Sequence, residues 1–269
     1  MIVSIEHQRK TYKIETSNFI DLSIPYNFNG PQPNFYDVNP GKLSPYKKEG
    51  SSYSVSDGAG CNVPEINMNI HCTGTHTEYV GHLLEKNGSL MNCIQDIFLP
   101  TALLSVKPRP FAECTDGYHV DVKENENIID RESLEIAYGQ LHITNPASLV
   151  IRTLPNPKEK QFYCFSKQIP PFFTNDAIIF LASKKIQHLI VDLPSLDRME
   201  DDGILGNHRI FWSNSQDPRG SVDANSNRTI TELAYIPNEV NDGFYFLNIQ
   251  VPHFKCDAAP SRPMLIRPA

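Results

Sequence analysis

Eleven residues from Cys72 to His82, CTGTHTEYVGH, restrict the local fold of this chain more than any other stretch. A helix would put Cys72 and His76 on one face at i, i+4, but three β-branched threonines and Gly74 disfavour it. In an extended strand Cys72, His76, Glu78 and His82 all occupy even positions and therefore share one face. Each of the four can bind a metal. A straight strand separates Cys72 from His76 by roughly 13 Å, too far to share one ion. Gly74 is where the backbone can bend and close that gap. Thr73, Thr75 and Thr77 then face the other way, where β-branched side chains suit a pleated surface. The segment reads as a bent strand carrying a metal site. His76 and Glu78 are the firmest ligand pair, Cys72 a soft ligand that favours zinc, and His82 either a third ligand or a base beside the ion. The competing reading is a polar strand whose His and Glu bond to each other and to the backbone.

The rest of the chain surrounds this strand with a mixed pattern. Residues 1–17 alternate apolar and polar positions and read as a strand pair; residues 19–25 read as a short strand entering a loop. Residues 26–60 are rich in Asn, Pro, Gly, Ser and Tyr, and a loop this long inside a domain is usually functional or mobile. Its Tyr26, Phe28, Phe35, Tyr36, Tyr46 and Tyr53 can wall a substrate pocket or simply pack the loop. Residues 63–78 read as strand, broken near Gly74. Apolar runs at 101–107, 148–153, 186–192, 228–233 and 243–251 have strand length, the last two closing the chain. The spacing of Ile128, Ile129, Leu134, Ile136 and Ala137 predicts a helix over 127–139. Ala177, Ile178, Leu181 and Ala182 predict another over 174–185, which Asn175 and Asp176 can cap. Helix followed by apolar strand is an α/β rhythm. No repeat or linker divides the chain, so residues 1–269 are expected to form one domain.

Charge and cysteine usage narrow the partners. The net charge of -7 argues against nucleic acid, whose phosphates select basic surface. No apolar run approaches the ~20 residues of a membrane span, and the first ten residues lack the apolar core of a targeting signal. The six cysteines are scattered without a CxxC pair, which suggests reduced thiols in a cytoplasm. Cys61, Cys93, Cys114, Cys164 and Cys256 are expected to be small buried apolar residues.

Gly74, Thr75, His76, Glu78 and His82 follow the pattern HxGTHxDxPxH. Around them, in order, stand FIDLSIP at 19–25, LVIRT at 149–153, LIVDLPSLD at 189–197, His208, TITEL at 229–233 and PSRP at 260–263. This ordered set, over residues 18–266, resembles the cyclase-like metal hydrolases of the kynurenine formamidase and isatin hydrolase type. The resemblance implies an α/β fold: a swivelling β/β/α domain with a mixed, strand-rich sheet and flanking helices. It implies one or two zinc or manganese ions held at the positions of Cys72, His76, Glu78, His208 and Glu232. It also implies catalytic roles for His82, as the proton carrier, and for Glu232, with a small-molecule substrate and a homo-oligomer. The sequence departs from the pattern at Cys72 for His, Glu78 for Asp and Val80 for Pro. His71, next to Cys72, would replace the missing imidazole only through a register slip, since strand alternation turns it to the other face. Without the resemblance, His208 reads as a satisfied, partly buried histidine and Glu232 as an exposed edge acid. Asp192, Ser195 and Asp197 read as turn and supporting groups, and Arg262 as a partner for a carboxylate.

The first expectation is a metal-dependent hydrolase of a small amide: an N-formyl arylamine such as N-formylkynurenine, or a cyclic amide. The second is a non-catalytic, ligand-binding protein on the same fold, motivated by the altered ligand positions. A third is a Cys72 nucleophile paired with His76 or His82, unaccompanied by any oxyanion motif.

Overall fold

Short apolar, β-branched runs dominate the centre of the chain, and they assemble as one large mixed sheet. A computed structural model describes residues 1–85, 88–141, 143 and 145–269. Its principal strands are β1 (Ile2–His7), β2 (Lys10–Asp21), β3 (His76–Tyr79), β4 (Leu99–Val106) and β5 (Ser148–Thr153). They continue as β6 (His188–Val191), β7 (Thr229–Glu232), β8 (Gly243–Gln250), β9 (Ala258–Pro260) and β10 (Arg262–Pro268). Among the described residues these ten lie in the order β1-β2-β10-β8-β4-β5-β6-β7-β3-β9. The middle four, β4 to β7, run parallel. Such strands are covered on both faces, which explains why β5 and β6 are buried at every residue. Antiparallel strands complete both sides of the sheet, with β3 pairing with β7 and β9 with β3.

Three helices are described with the sheet: α1 (Arg131–Gln140), α2 (Asn175–Ser183) and α3 (Gly206–Phe211). Ala177, Ile178 and Leu181 of α2 join Leu104, Ile151 and Val191 in one core. The neighbouring residues Leu103, Val150 and Ile190 join Leu247, Leu265 and Ile236 in a second. Period-two alternation therefore feeds two cores from the same strands.

The expected mixed α/β sheet with flanking helices is what the chain forms. Several boundaries differ for local reasons. The helix expected over 127–139 starts at Arg131, because Asp130 caps it by accepting from the Ser133 N–H; Asn127–Ile129 is a short strand beside Phe172–Phe173. The α2 cap is Thr174, whose hydroxyl accepts from the Ala177 N–H, in place of Asn175 or Asp176. The strand expected over 63–78 is two pieces, Pro64–Asn67 and β3, paired with different partners. Of the strand expected over 19–25, only residues 19–21 are strand, as the end of the long β2. Helix α3 and strands β9 and β10 carried no recognised signal; in β9 and β10, Pro260, Pro263 and Pro268 interrupt the strand pattern. Pro260 is tolerated because β9 is an edge strand. Arg262 pairs with Asp21 at 2.7 Å, as its expected carboxylate. Of the cysteines expected to be buried, Cys93 is; Cys61 is exposed and Cys114, Cys164 and Cys256 are half-buried, all without disulfides. No described helix is long and apolar enough to cross a membrane.

His188 on β6 makes the fold acid-sensitive. Burial pushes its pKa down to about 4, partly offset by Asp96, and its Nδ1 lies 2.8 Å from the Thr229 hydroxyl. The native state keeps it neutral while the unfolded chain takes a proton below about 6.5. This contribution is complete above pH 6.5 and is lost as pH falls towards 4, at about 1.4 kcal/mol per pH unit. Urea unfolding of chelated protein at pH 7.0 and 4.5 is expected to show a smaller acid loss in His188→Gln than in wild type, by roughly 2–3 kcal/mol. Equal losses would show that His188 is protonated without penalty in the fold.

Candidate metal centre

Strand pairing builds the centre. In the antiparallel ladder His76 of β3 lies opposite Glu232 of β7, with Thr77 opposite Thr231 and Glu78 opposite Ile230. Opposed residues bring their Cβ atoms within ~4.5–5.5 Å. Alternation then puts His76, Glu78 and Glu232 on one face, while Thr77 and Thr231 share a 2.7 Å hydroxyl contact on the other. All three ligand candidates are buried. The expectation of an exposed Glu232 is thus corrected: β7 is an inner strand.

Helix α3 brings His208 to the same point. Its Nε2 lies 3.0 Å from Glu78 Oε1 and 3.4 Å from Glu232 Oε1, and its Nδ1 is 2.6 Å from Asp197 Oδ2. Asp197 also accepts from the backbone N–H groups of Asn207 and His208, so it orients both the ring and the turn that carries it. From the other side His71 Nδ1 lies 2.8 Å from Glu78 Oε2, and its Nε2 is 3.1 Å from Asp257 Oδ2. The same Asp257 oxygen is 3.3 Å from His82 Nδ1.

Electrostatics couple these groups. Burial alone would raise Glu78; the nearby His82 charge and hydrogen bonds from His208 and His71 outweigh it and hold the carboxyl well below the usual range. Burial likewise opposes charge on His208, but Asp197, Glu232 and Glu78 raise it well above the ordinary imidazole value. His71 follows the same logic, with Asp257 and Glu78 overcoming burial to lift it to about 10. Hydrogen bonds from His71 and His82 hold Asp257 below the usual carboxylate range.

The decisive test of fit to a cation is His76. Its Nδ1 lies 3.0 Å from the Gly74 carbonyl, which can only accept, so Nδ1 carries the hydrogen. In the neutral ring Nε2 then presents a lone pair, buried and without a hydrogen-bond partner, 3.6 Å from Glu232 Oε2 and 3.8 Å from Glu78 Oε2. A lone pair facing two carboxylate oxygens calls for a cation between them. Two groups of possible ligands, His71–His76–Glu78 and Glu78–His208–Glu232, have their donor atoms within 4.8 Å of one another and share Glu78. These residues fit one divalent ion or a pair.

A further group, His119–Asp197–Asp201, fails the same test. Asn207 Nδ2 donates to the carbonyls of Phe173 and Leu196, so its Oδ1 accepts from Asn175 Nδ2. The other hydrogen of that Asn175 amide points to His119 Nδ1, leaving the His119 hydrogen on Nε2. No lone pair remains there for a metal.

The structure thus brings His76, Glu78, His208 and Glu232 together, with His82 at the margin. Cys72 stands apart: no ligand group among the described residues includes its thiol. It packs against the cluster of Phe35, Phe165 and Leu233, and burial with the nearby Glu232 and Glu78 pushes the thiol up to about 11. A thiol so seldom ionised is a poor nucleophile. Its neighbour His71 reaches the carboxylates because residues 69–75 form a turn, in which Asn69 bonds to the Cys72 N–H and the Thr73 hydroxyl, so the alternation rule does not apply. Asp257 gave no signal in the sequence. Of the loop aromatics, Phe35 and Tyr36 line a cleft of about 350 Å³ that opens onto Glu78, His208 and Glu232. Tyr26 instead packs on Phe28 and Gly74, and Tyr46 pairs with Tyr53.

Comparison with known proteins gives this geometry a context. The family model described as "Putative cyclase" matches residues 20–198. A kynurenine formamidase of Bacillus cereus is 26% identical over 203 residues, covering 74% of this chain and 79% of the relative. The structure of a predicted metal-dependent hydrolase from Bacillus stearothermophilus superposes with a TM-score of 0.58 at 18% identity, over 93% of this chain and 98% of that one. An isatin hydrolase bound to the product analogue thioisatinate superposes with a TM-score of 0.59 at 13% identity, over 94% and 93%. These two structures establish a shared fold.

Two outcomes test the centre. Because His208 and His71 hold protons that a cation must displace, zinc or manganese binding is expected to release protons and tighten as pH rises. Calorimetry in buffers of different ionisation enthalpy reads that release; none would place the ion elsewhere. Asp197→Asn is expected to keep the fold and weaken metal binding on the order of 10–100-fold, measured by competition with a chelating dye.

Proposed function

The chain belongs to the cyclase family, and from that premise we propose that it is a metal-dependent hydrolase of small amides. The carrying observation is the buried His76 lone pair aimed at two carboxylates. His76, Glu78, Glu232 and His208 would hold zinc or manganese, with His71 beside Glu78. When bound, such an ion supplies Lewis acidity, polarising a carbonyl and making water acidic enough to ionise near neutral pH.

The chain's own groups do the rest. Asp257 engages His82 through Nδ1, which leaves Nε2 to exchange a proton. The His82 ring centre lies 6.2 Å from that of His208, beside the ligand cluster and partly open to solvent. We assign His82 as the carrier that delivers a proton to the leaving nitrogen. Glu232 holds the cluster from β7 and also accepts from the Leu196 N–H, which ties its position to the cleft wall. Phe35 and Tyr36 give the cleft an aromatic side for a planar substrate. The names of the relatives point to the same chemistry, an N-formyl arylamine or a cyclic amide.

Purified protein loaded with zinc or manganese is expected to hydrolyse N-formylkynurenine or isatin. His82→Gln should lower kcat on the order of 100-fold or more with metal stoichiometry unchanged. His76→Ala should lose both metal and turnover. Full activity in His76→Ala would refute the assignment, and stoichiometric metal with no turnover of any small amide would favour a binding protein on this fold.

A further inference from the structure

A second cavity, of about 380 Å³, shares no lining residue with the metal cleft. It opens at the carboxyl ends of β5 and β6, between Thr153 and Leu193. In parallel α/β sheets that end of the strands is where ligands collect. The two cavities have a common wall. Leu193 faces one and Pro194 the other, while Phe165 of the second cavity packs edge-on against Phe35 of the cleft, ring centres 6.4 Å apart.

Lys160 lines this cavity as one member of a buried ion pair. Lys160 is only 8% exposed, and its ammonium lies 2.7 Å from Asp192 Oδ2. It also donates to the Thr153 hydroxyl. Asp192 is held in turn by the Thr153 N–H at 2.9 Å and hydroxyl at 3.0 Å. An ammonium has three donors, and these two partners use two of them. The third hydrogen has no acceptor among the described residues, at the wall of a cavity. At the rim, Lys107 is exposed and has no carboxylate partner among the described residues. Lys160, Asp192 and Lys107 together leave one uncompensated positive charge. The remaining wall is mostly apolar, made by prolines with Tyr163 and Phe165, with Asn127 and Gln168 as its polar members.

We propose that this cavity is a second ligand site, for a small aromatic monocarboxylate. The carboxylate accepts from the free Lys160 hydrogen and is drawn by Lys107, and the ring lies against the proline and aromatic walls. The volume suits a single-ring ligand. One net positive charge selects a monoanion over a neutral ring, through a charge-assisted hydrogen bond.

Phenylacetate is the probe and 2-phenylethanol its neutral counterpart, titrated into full-length, metal-loaded protein by NMR. Phenylacetate is expected to saturate at one equivalent and to bind on the order of ten-fold more tightly than the alcohol. Ile169 lines the mouth and is 64% exposed, so Ile169→Trp should block entry without disturbing the core. Lys107→Glu should weaken phenylacetate by about ten-fold and leave the alcohol unchanged. Lys160→Met alone unpairs Asp192, so it is combined with Asp192→Asn, which removes both buried charges; this pair of changes removes the Lys160 hydrogen bond but keeps Lys107, and should reduce the preference for the acid without reversing it. No saturable binding, equal binding of acid and alcohol, or undiminished binding in Ile169→Trp would overturn the proposal. Loss of binding in Glu232→Gln with retention in Ile169→Trp would place the acid in the metal cleft and overturn it equally.

Discussion

The burial of Glu78 and Glu232 on one face of two paired strands is the constraint around which the rest is arranged. A buried carboxylate without compensation costs several kcal/mol, and here two of them converge. Compensation comes from two histidines supplied by separate parts of the chain, His208 from α3 and His71 from the turn before β3, while His76 of β3 adds a ring nitrogen at the same point that a cation would engage. Asp197 and Asp257 form an outer ring that fixes how His208 and His71 present their second nitrogens. Protons on His208 and His71 and a divalent ion among the carboxylates meet the same electrostatic demand. The scaffold can exchange one for the other without rebuilding its core.

Holding the two halves of the site in register takes local distortion. Leu233, directly after Glu232, and Leu205, directly before α3, both adopt left-handed backbone, with φ of 52° and 51°. Such a conformation costs a branched residue on the order of 1–2 kcal/mol. Both are pinned: the Leu233 N–H donates to the Leu193 carbonyl and its own carbonyl accepts from the Thr75 hydroxyl, while the Leu205 N–H donates to Asp201. The distortion ends β7 immediately after Glu232 and starts α3 where His208 can reach the carboxylates. Backbone strain therefore sits beside the groups that would bind the ion, as it commonly does at functional sites.

Sequence patterns revealed most of what depends on local periodicity. The buried run 148–153 is a strand over just those residues, and the α2 stripe of Ala177, Ile178 and Leu181 faces the core. His76 and Glu78 were legible because a strand puts i and i+2 together. What stayed hidden depends on long-range pairing. Asp257 is 175 residues from His82 and has no periodic context, so only the β3–β9 pairing shows that it belongs to the site. His208 and Glu232 could be placed only through a family pattern, since nothing local distinguishes them from an ordinary helix histidine and strand acid. The prolines near the C-terminus masked β9 and β10: the rule against proline in strands is relaxed at the edge strand β9, while β10 carries Pro263 and Pro268 although it is paired on both sides.

The position of the turn at residues 69–75 decides the chemistry of the donor set. A strand running straight through Cys72 would turn His71 away from Glu78. The Asn69 bonds to Cys72 and Thr73 break that alternation, and the imidazole of His71 reaches the carboxylates while the thiol of Cys72 packs among aromatic side chains. The soft-ligand reason for favouring zinc then loses its footing. Imidazoles and carboxylates alone suit manganese as well as zinc, so selection between them would fall to coordination number and to how closely Glu78 and Glu232 can approach. Glutamate at position 78 has one methylene more than the aspartate of the family pattern, and this extra reach is matched here by two histidines, His71 and His208, gripping its two oxygens from opposite sides. The longer arm is therefore held as firmly as a shorter one would be, and the substitution is consistent with a site rebuilt around a displaced histidine instead of one that has lost its ligands.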